Sequence, residues 1–278
     1  MTSEPRTITW IASYPKSGNT WLRFLVANLV FGPQESAATL ATLVPDLHEL
    51  AGGFARPTQP VLIKTHFPCS ARVPHIEATR AAICIVRNPA DVMVSNFYYA
   101  RRSGALAADS AIAWNQYVDD FITHRGDPRW SRLGMGSWTE NVASWCRPDL
   151  PFPVVRLRYE DVLADPVAAG RYLAALLRPN ASATEIEQAV AGASFRKMRE
   201  IEESDIRSQR VGIFYKPYLQ GAIDNGVRFM RGGRAGDAQT MLSEEQHARF
   251  VGAFGNLMRT LGYSTDAASL AAAPAPAG

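Results

Sequence analysis

Cysteine is scarce in this chain: 278 residues hold only Cys69, Cys84 and Cys146. No CxxC pair and no histidine at metal-ligand spacing accompanies them, so neither a disulfide framework nor a zinc site is suggested, and the thiols read as buried or idle. Long apolar runs are missing too. Nowhere do about 20 apolar residues follow one another, which leaves no candidate membrane span. Glu4 and Arg6 stand before only a short apolar stretch, unlike a signal peptide. A soluble, cytoplasmic protein is expected. The excess of positive charge is only +3, too little for a general nucleic-acid binder, although arginines gathered in one place can still hold a small polyanion. No internal repeat occurs.

What is present is ordinary for a soluble enzyme: 47% hydrophobic and 20% charged residues, enough for one full core. Short β-type runs at Ile8–Ala12, Val61–Lys64, Ala82–Val86 and Val154–Arg158 alternate with helical patterns. The helical patterns span Trp21–Phe31, Pro89–Arg101, Ile112–Thr123, Trp138–Cys146, Pro166–Leu177, Ala183–Ala191 and Glu244–Leu261. The alternation predicts an α/β fold, a single domain over 1–264 with a central parallel sheet flanked by helices. Residues 265–278, Ala- and Pro-rich and free of aromatics, read as a disordered tail. Open α/β sheets collect function at the carboxyl ends of their strands, and Lys16, His66 and Arg87 each follow such an end. Arg207–Arg234, rich in Gly and basic residues, is either an ordered lid over an anion or a solvated basic loop.

Residues 14 to 21 read Tyr-Pro-Lys-Ser-Gly-Asn-Thr-Trp, between the first strand and the first helix. A strand that turns into a helix through a Ser-Gly step leaves unpaired backbone amides aimed at one point, where a phosphate or sulfate can sit. Lys16 adds a charge, and Ser17, Asn19 and Thr20 add short donors. The lysine precedes a single glycine, whereas the nucleotide-triphosphatase loop runs GxxxxGK[ST]. This order resembles the 5'-phosphosulfate loop of the sulfotransferases that use 3'-phosphoadenosine 5'-phosphosulfate (PAPS). Three more elements of that family follow in sequence: Lys64-Thr65-His66, Arg87-Asn88-Pro89-Ala90-Asp91 with Ser95, and Arg231-Gly232-Gly233. The resemblance covers about residues 8–262.

The resemblance implies a P-loop-nucleotide-hydrolase-like core, PAPS as cosubstrate, adenosine 3',5'-bisphosphate (PAP) as product, no metal, and a small-molecule acceptor bearing a hydroxyl. By the same resemblance His66 is the general base, suited to it by an ordinary pKa near 6.5. Lys16 and Lys64 meet the moving sulfuryl group, and Ser17, Gly18, Asn19 and Thr20 hold the 5' end. Trp21, Tyr159, Ser194 and Phe195 border the adenine, and Arg87, Ser95, Arg231, Gly232 and Gly233 form the 3'-phosphate clamp. Gly232 stands where the family commonly has a lysine and Ala238 where it has a tryptophan, so one cation of the clamp is missing unless Arg234 replaces it. Gly136–Trp145 and Arg158–Pro166 match two further family segments; Trp138 and Trp145 read as core. A homodimer is common in the family, yet its dimer segment has no clear match around Thr240–Glu245.

His48, flanked by Asp46 and Glu49, is a candidate for acceptor binding, while His75, His124 and His247 read as surface or packing residues. The loops 31–60, 101–135 and 207–228 would build the acceptor chamber. Tyr98, Tyr99, Trp114, Phe214, Tyr215 and Tyr218 would suit a ring-bearing molecule there. The Ala-rich composition is similar to that of bacterial sulfotransferases that tailor secondary metabolites. Two rival readings stand beside this one. A P-loop-like kinase would need a metal-binding aspartate, for which Asp161 and Asp165 are the nearest candidates, and a non-catalytic PAP-binding protein would need no base.

Overall fold

The protein was analysed as a computed structural model that describes residues 5–50, 54–106 and 111–266. The segment from 267 onward, where the tail was expected, lies outside them. Four strands, β1 (Ile8–Ala12), β2 (Val61–Thr65), β3 (Thr79–Val86) and β4 (Val154–Arg158), form one all-parallel sheet in the order β2-β1-β3-β4. β1 is buried at every position, as a central parallel strand covered on both faces must be. The helices are α1 (Asn19–Phe31), α2 (Ala37–Leu43), α3 (Pro89–Arg102), α4 (Ala111–Thr123), α5 (Pro128–Arg132) and α6 (Trp138–Cys146). They continue with α7 (Tyr159–Ala164), α8 (Pro166–Leu177), α9 (Ala183–Gly192), α10 (Phe195–Arg207), α11 (Gln220–Asp224) and α12 (Glu244–Thr260).

Strand alternation sorts these helices into two layers. Ile8, Trp10 and Ala12 of β1 and Ala82, Cys84 and Val86 of β3 face a core built with α3, α4, α6 and α12. Ile11, Ile83 and Ile85 face the opposite core, shared with α1, α2, α8, α9 and α10. Trp138 and Trp145 are fully buried, as expected. All four predicted strands are present; β2 gains Thr65, and β3 starts three residues earlier than its apolar run. Among the described residues no helix is long and apolar enough to cross a membrane.

The basic segment 207–234 is ordered. Phe214 is buried against Phe24 and Phe229. Tyr215, Leu219 and Ile223 form a small cluster of their own with Ile206. Glu202, buried in α10, accepts from the Phe229 and Met230 amides and so ties the end of the segment to that helix.

Candidate active site

The loop after β1 is shaped by two left-handed residues. Lys16 has φ 70, a conformation that costs a non-glycine residue energy and is kept where function over-determines it. Gly18 has φ 100, and a Cβ there would come within 2.6 Å of the Tyr159 ring, so only glycine fits. α1 then opens without any side-chain cap, leaving its first amides for an anion. Asn19 donates to the Ile11 carbonyl and to Ser13 Oγ, which fixes the loop to the strand end. The Ser17 hydroxyl is sealed from solvent without a partner, as is Asn19 Oδ1.

The ammonium of Lys16 lies 4.4 Å from the centre of the Tyr99 ring and 4.2 Å from that of Phe229. Burial, followed by the charges of Arg102, Arg87 and Arg231, lowers its pKa to about 7. At the end of β2, Lys64 is buried and paired with Asp46 at 2.7 Å. Burial outweighs that partner and brings its pKa to about 8.

His66 follows β2 with its Nδ1 2.8 Å from the Ser13 carbonyl oxygen. A carbonyl only accepts, so Nδ1 carries the proton and Nε2 is the basic nitrogen. Burial, then Lys64 and His48, holds the imidazole well below its ordinary pKa. The segment is braced from both sides. Asn141 of α6 donates to the His66 carbonyl at 2.6 Å and Trp145 to the Phe67 carbonyl at 2.9 Å. The His66 amide donates to His48 Nε2 at 2.8 Å. His48 thus lines the cavity and also positions the neighbouring histidine. Burial, then Lys64, depresses its pKa to about 4, so it stays neutral.

Arg87 follows β3 directly and is buried over the Tyr159 ring, 4.4 Å from its centre. It donates to the Arg234 carbonyl at 3.0 Å and lies 3.8 Å from Asp91, while its Nε is buried without a partner. Asp91 in turn accepts from the Gly236 and Ala238 amides at 2.7 and 3.1 Å. This places the late loop over the strand end. Arg231 and Arg234 both pair with Asp237. Gly233, at φ 61, lies against Phe195, where a Cβ would approach to 2.3 Å; a Cβ at Gly232 would only touch the Arg234 side chain, at 3.6 Å. Asp91→Ala leaves two amides without acceptors and is expected to cost about 1–3 kcal/mol of stability. A thermal melt unchanged from wild type would show that the loop is held by other contacts.

Most of the charged and aromatic groups described above border one cavity of about 370 Å³. Its lining includes Lys16, Gly18, Asn19, Thr20, Trp21, Lys64 and His66 together with Arg87, Ser95, Tyr159, Phe195 and Arg231–Arg234. Two expected residues do not line it. Ser17 is fully buried within the loop, and Ser194 accepts from the Lys197 amide as the cap of α10. The expected acceptor aromatics divide as well. Tyr99 and Tyr218 reach the cavity, whereas Phe214 and Tyr215 are core, Trp114 packs on Phe97 and donates to the Met241 carbonyl, and Tyr98 lies under Arg231. Asp161 pairs with Arg158 and Asp165 caps α8, so the aspartates of the kinase reading are engaged outside the cavity.

Sequence reasoning missed Asp46, Asn141, Trp130, Met135 and Arg102. Nothing local in sequence marks them; the fold brings Asp46, Arg102, Trp130 and Met135 to the cavity and sets Asn141 behind the His66 segment. The orphaned Arg87 Nε, the uncapped start of α1 and the close glycine approaches at Gly18 and Gly233 fit an anionic ligand in this cavity.

Comparison with known proteins agrees with this geometry. A family model described as a sulfotransferase domain matches residues 6–262. Sulfotransferase 1C2 of Rattus norvegicus is 25% identical over 254 residues, covering 86% of this chain and 79% of the relative. Sulfotransferase 1B1 of Canis lupus familiaris is 26% identical over 253 residues, with coverage of 86% and 79%. Among solved structures, retinol dehydratase in complex with androsterone and PAP superposes with a TM-score of 0.68 at 20% identity, over 92% of this chain and 81% of that one. Mouse sulfotransferase SULT7A1 complexed with PAP gives 0.67 at 20% identity, over 97% and 88%. With the domain matched from residue 6 to 262 and a cavity lined by lysines and arginines at the strand ends, the chain belongs to the PAPS-dependent sulfotransferase family.

Proposed function

We propose that the chain transfers the sulfuryl group of PAPS to a hydroxyl of a small bacterial secondary metabolite, with His66 as general base. The observation that carries the reading is the tautomer of His66: its Nδ1 proton is held by the Ser13 carbonyl, which leaves Nε2 free to accept a proton from an acceptor hydroxyl in the cavity. PAPS supplies an activated sulfuryl group on a phosphate leaving group. Around it the chain positions and neutralises charge, as in phosphoryl transfer. Lys16 stabilises charge growing on the bridging oxygen. Lys64, kept in place by Asp46, adds positive potential beside His66. Arg87, Ser95 and Arg231 hold the 3'-phosphate. Arg234, folded over Gly232 and sharing Asp237 with Arg231, stands in for the missing lysine of the clamp. Trp21, Tyr159 and Phe195 line the part of the cavity suited to the adenine. Tyr99, Trp130 and Tyr218 suit a ring-bearing acceptor, and the Ala-rich composition supports the assignment to secondary metabolism.

Calorimetric titration with PAP, AMP and ATP without added metal tests the reading. PAP is expected to bind tightly and AMP weakly. Arg87→Met is expected to weaken PAP by roughly ten- to a hundredfold while leaving AMP nearly unchanged, because a charge-assisted phosphate contact is lost at the 3' end alone. Equal binding of PAP and AMP would overturn it. A non-catalytic PAP sensor would bind PAP equally well, but it gains nothing from a base whose tautomer is fixed toward the cavity.

A further inference from the structure

The clamp and loop do not account for every cation in the cavity. Lys64 has Asp46, Lys216 has Glu49 at 3.3 Å, and Arg231 and Arg234 share Asp237. Arg102, the last residue of α3, is 5% exposed and lines the cavity, yet among the described residues it forms no ion pair with a carboxylate. One nitrogen donates to the Phe214 carbonyl at 2.8 Å, the guanidinium lies 5.6 Å from the centre of the Phe229 ring, and Nε is buried without a partner. The buried carboxylate of Glu202 is engaged by the Phe229 and Met230 amides. A guanidinium removed from water with no carboxylate in contact, and only the charge of Glu202 acting on it from beyond ion-pair distance, is costly and persists where an anion is to be received.

We propose that the acceptor carries an acidic group besides its hydroxyl, and that Arg102 receives this oxyanion, with Lys216 at the rim. The inference rests on the sulfotransferase reading above and narrows its acceptor. The anionic ends of the cosubstrate already have Lys16 with the start of α1, and Arg87 with the late loop. Arg102 lines the same cavity as Tyr99, Trp130 and Tyr218, and it shares the Phe229 ring with Lys16. Lys216 lines the same cavity as Arg102 and Tyr99. Rings along the wall and an unpaired guanidinium describe a site for a hydroxyaryl carboxylate or a similar hydroxy acid.

The test uses the full chain saturated with PAP, with 4-hydroxyphenylacetate and its methyl ester as probes, in wild type, Arg102→Met, Arg102→Lys and Lys216→Gln. Wild type is expected to bind the carboxylate at least about tenfold more tightly than the ester. Arg102→Met is expected to remove that preference, Arg102→Lys to restore part of it and Lys216→Gln to reduce it, each read with PAP saturating that variant. No preference in wild type overturns the proposal without any variant, which covers the case in which Arg102→Met does not fold. A preference that survives Arg102→Met overturns it as well. A loss in Arg102→Met confined to PAPS, with PAP unaffected, would assign the charge to the sulfonate of the cosubstrate and overturn the acceptor assignment. Failure of wild type to bind PAP at all would instead overturn the underlying sulfotransferase reading.

Discussion

His66→Ala is expected to lower kcat by roughly a hundred- to ten-thousandfold, the range for removal of a positioned general base, while PAP affinity stays close to wild type. The two parameters separate because His66 sits at the end of β2, whereas the 3'-phosphate clamp is built on β3 and the late loop. The variant must also leave the brace intact. His48 binds the backbone amide at position 66 and Asn141 its carbonyl, so neither contact depends on the imidazole. Asn141→Ala forms the matching control: it leaves the base in place but frees the segment, and a smaller loss of kcat is expected from imprecise positioning alone. Because burial and neighbouring cations hold the His66 pKa well below its ordinary value, the base stays neutral through mildly acidic conditions. The wild-type rate should therefore not fall with a midpoint near 6.5 on its account. Single-turnover transfer from PAPS, compared with PAP titration, checks both quantities; full turnover in His66→Ala would remove the base from its role.

The sheet was legible because its four strands are short, apolar and bounded by turn residues, and parallel strands buried on both faces leave that mark in sequence. Helices with a continuous apolar stripe were legible for the same reason. α10 was not. Its inner face uses Met198 and Ile201 but also the buried Glu202 and Asp205, whose charges are matched by backbone amides, Ser36 and Arg210 brought from elsewhere in the chain. A polar face satisfied only by tertiary partners looks like solvent-exposed helix or loop when read alone. α2, α5, α7 and α11 are too short for periodicity to register.

The site divides along the same line. Residues tied to local backbone geometry, Lys16, Gly18, His66 and Arg87, were readable because a strand end followed by a turn fixes their place. Residues that act by bracing were not. Nothing near Asn141 or Trp145 in sequence announces that α6 packs under the segment of His66, and Asp46 becomes the partner of Lys64 only through the parallel bridge between them. The Tyr-Glu-Asp segment shows how a matched motif can have two roles. Tyr159 meets Arg87 in the cavity, while the next residue, Glu160, accepts from the Asn88 amide and the Tyr263 hydroxyl and so locks the turn that aims Arg87.

Lys16→Met is expected to lower kcat by roughly a hundred- to a thousandfold, the cost of losing one preorganised group that meets developing charge. The same residue should leave a signature in binding. In the free protein its pKa is lowered to about 7 by burial and by Arg102, Arg87 and Arg231, so at about pH 8 most molecules hold the lysine neutral between Tyr99 and Phe229. A polyanion arriving at the loop favours the charged form and raises that pKa. PAP binding at about pH 8 should therefore take up close to one proton, and PAP affinity should fall by up to about tenfold per pH unit above about pH 7, because the lysine must be recharged to bind. Calorimetry in buffers of different ionisation enthalpy reads the uptake directly. In Lys16→Met the buffer dependence and the pH slope should both disappear, although Lys64, at about 8 and paired with Asp46, is still present. A slope unchanged in the variant would move the proton to Lys64 and leave Lys16 charged throughout. In that case the two rings would be holding a permanent cation, and the loss of turnover in Lys16→Met would have to come from its charge alone.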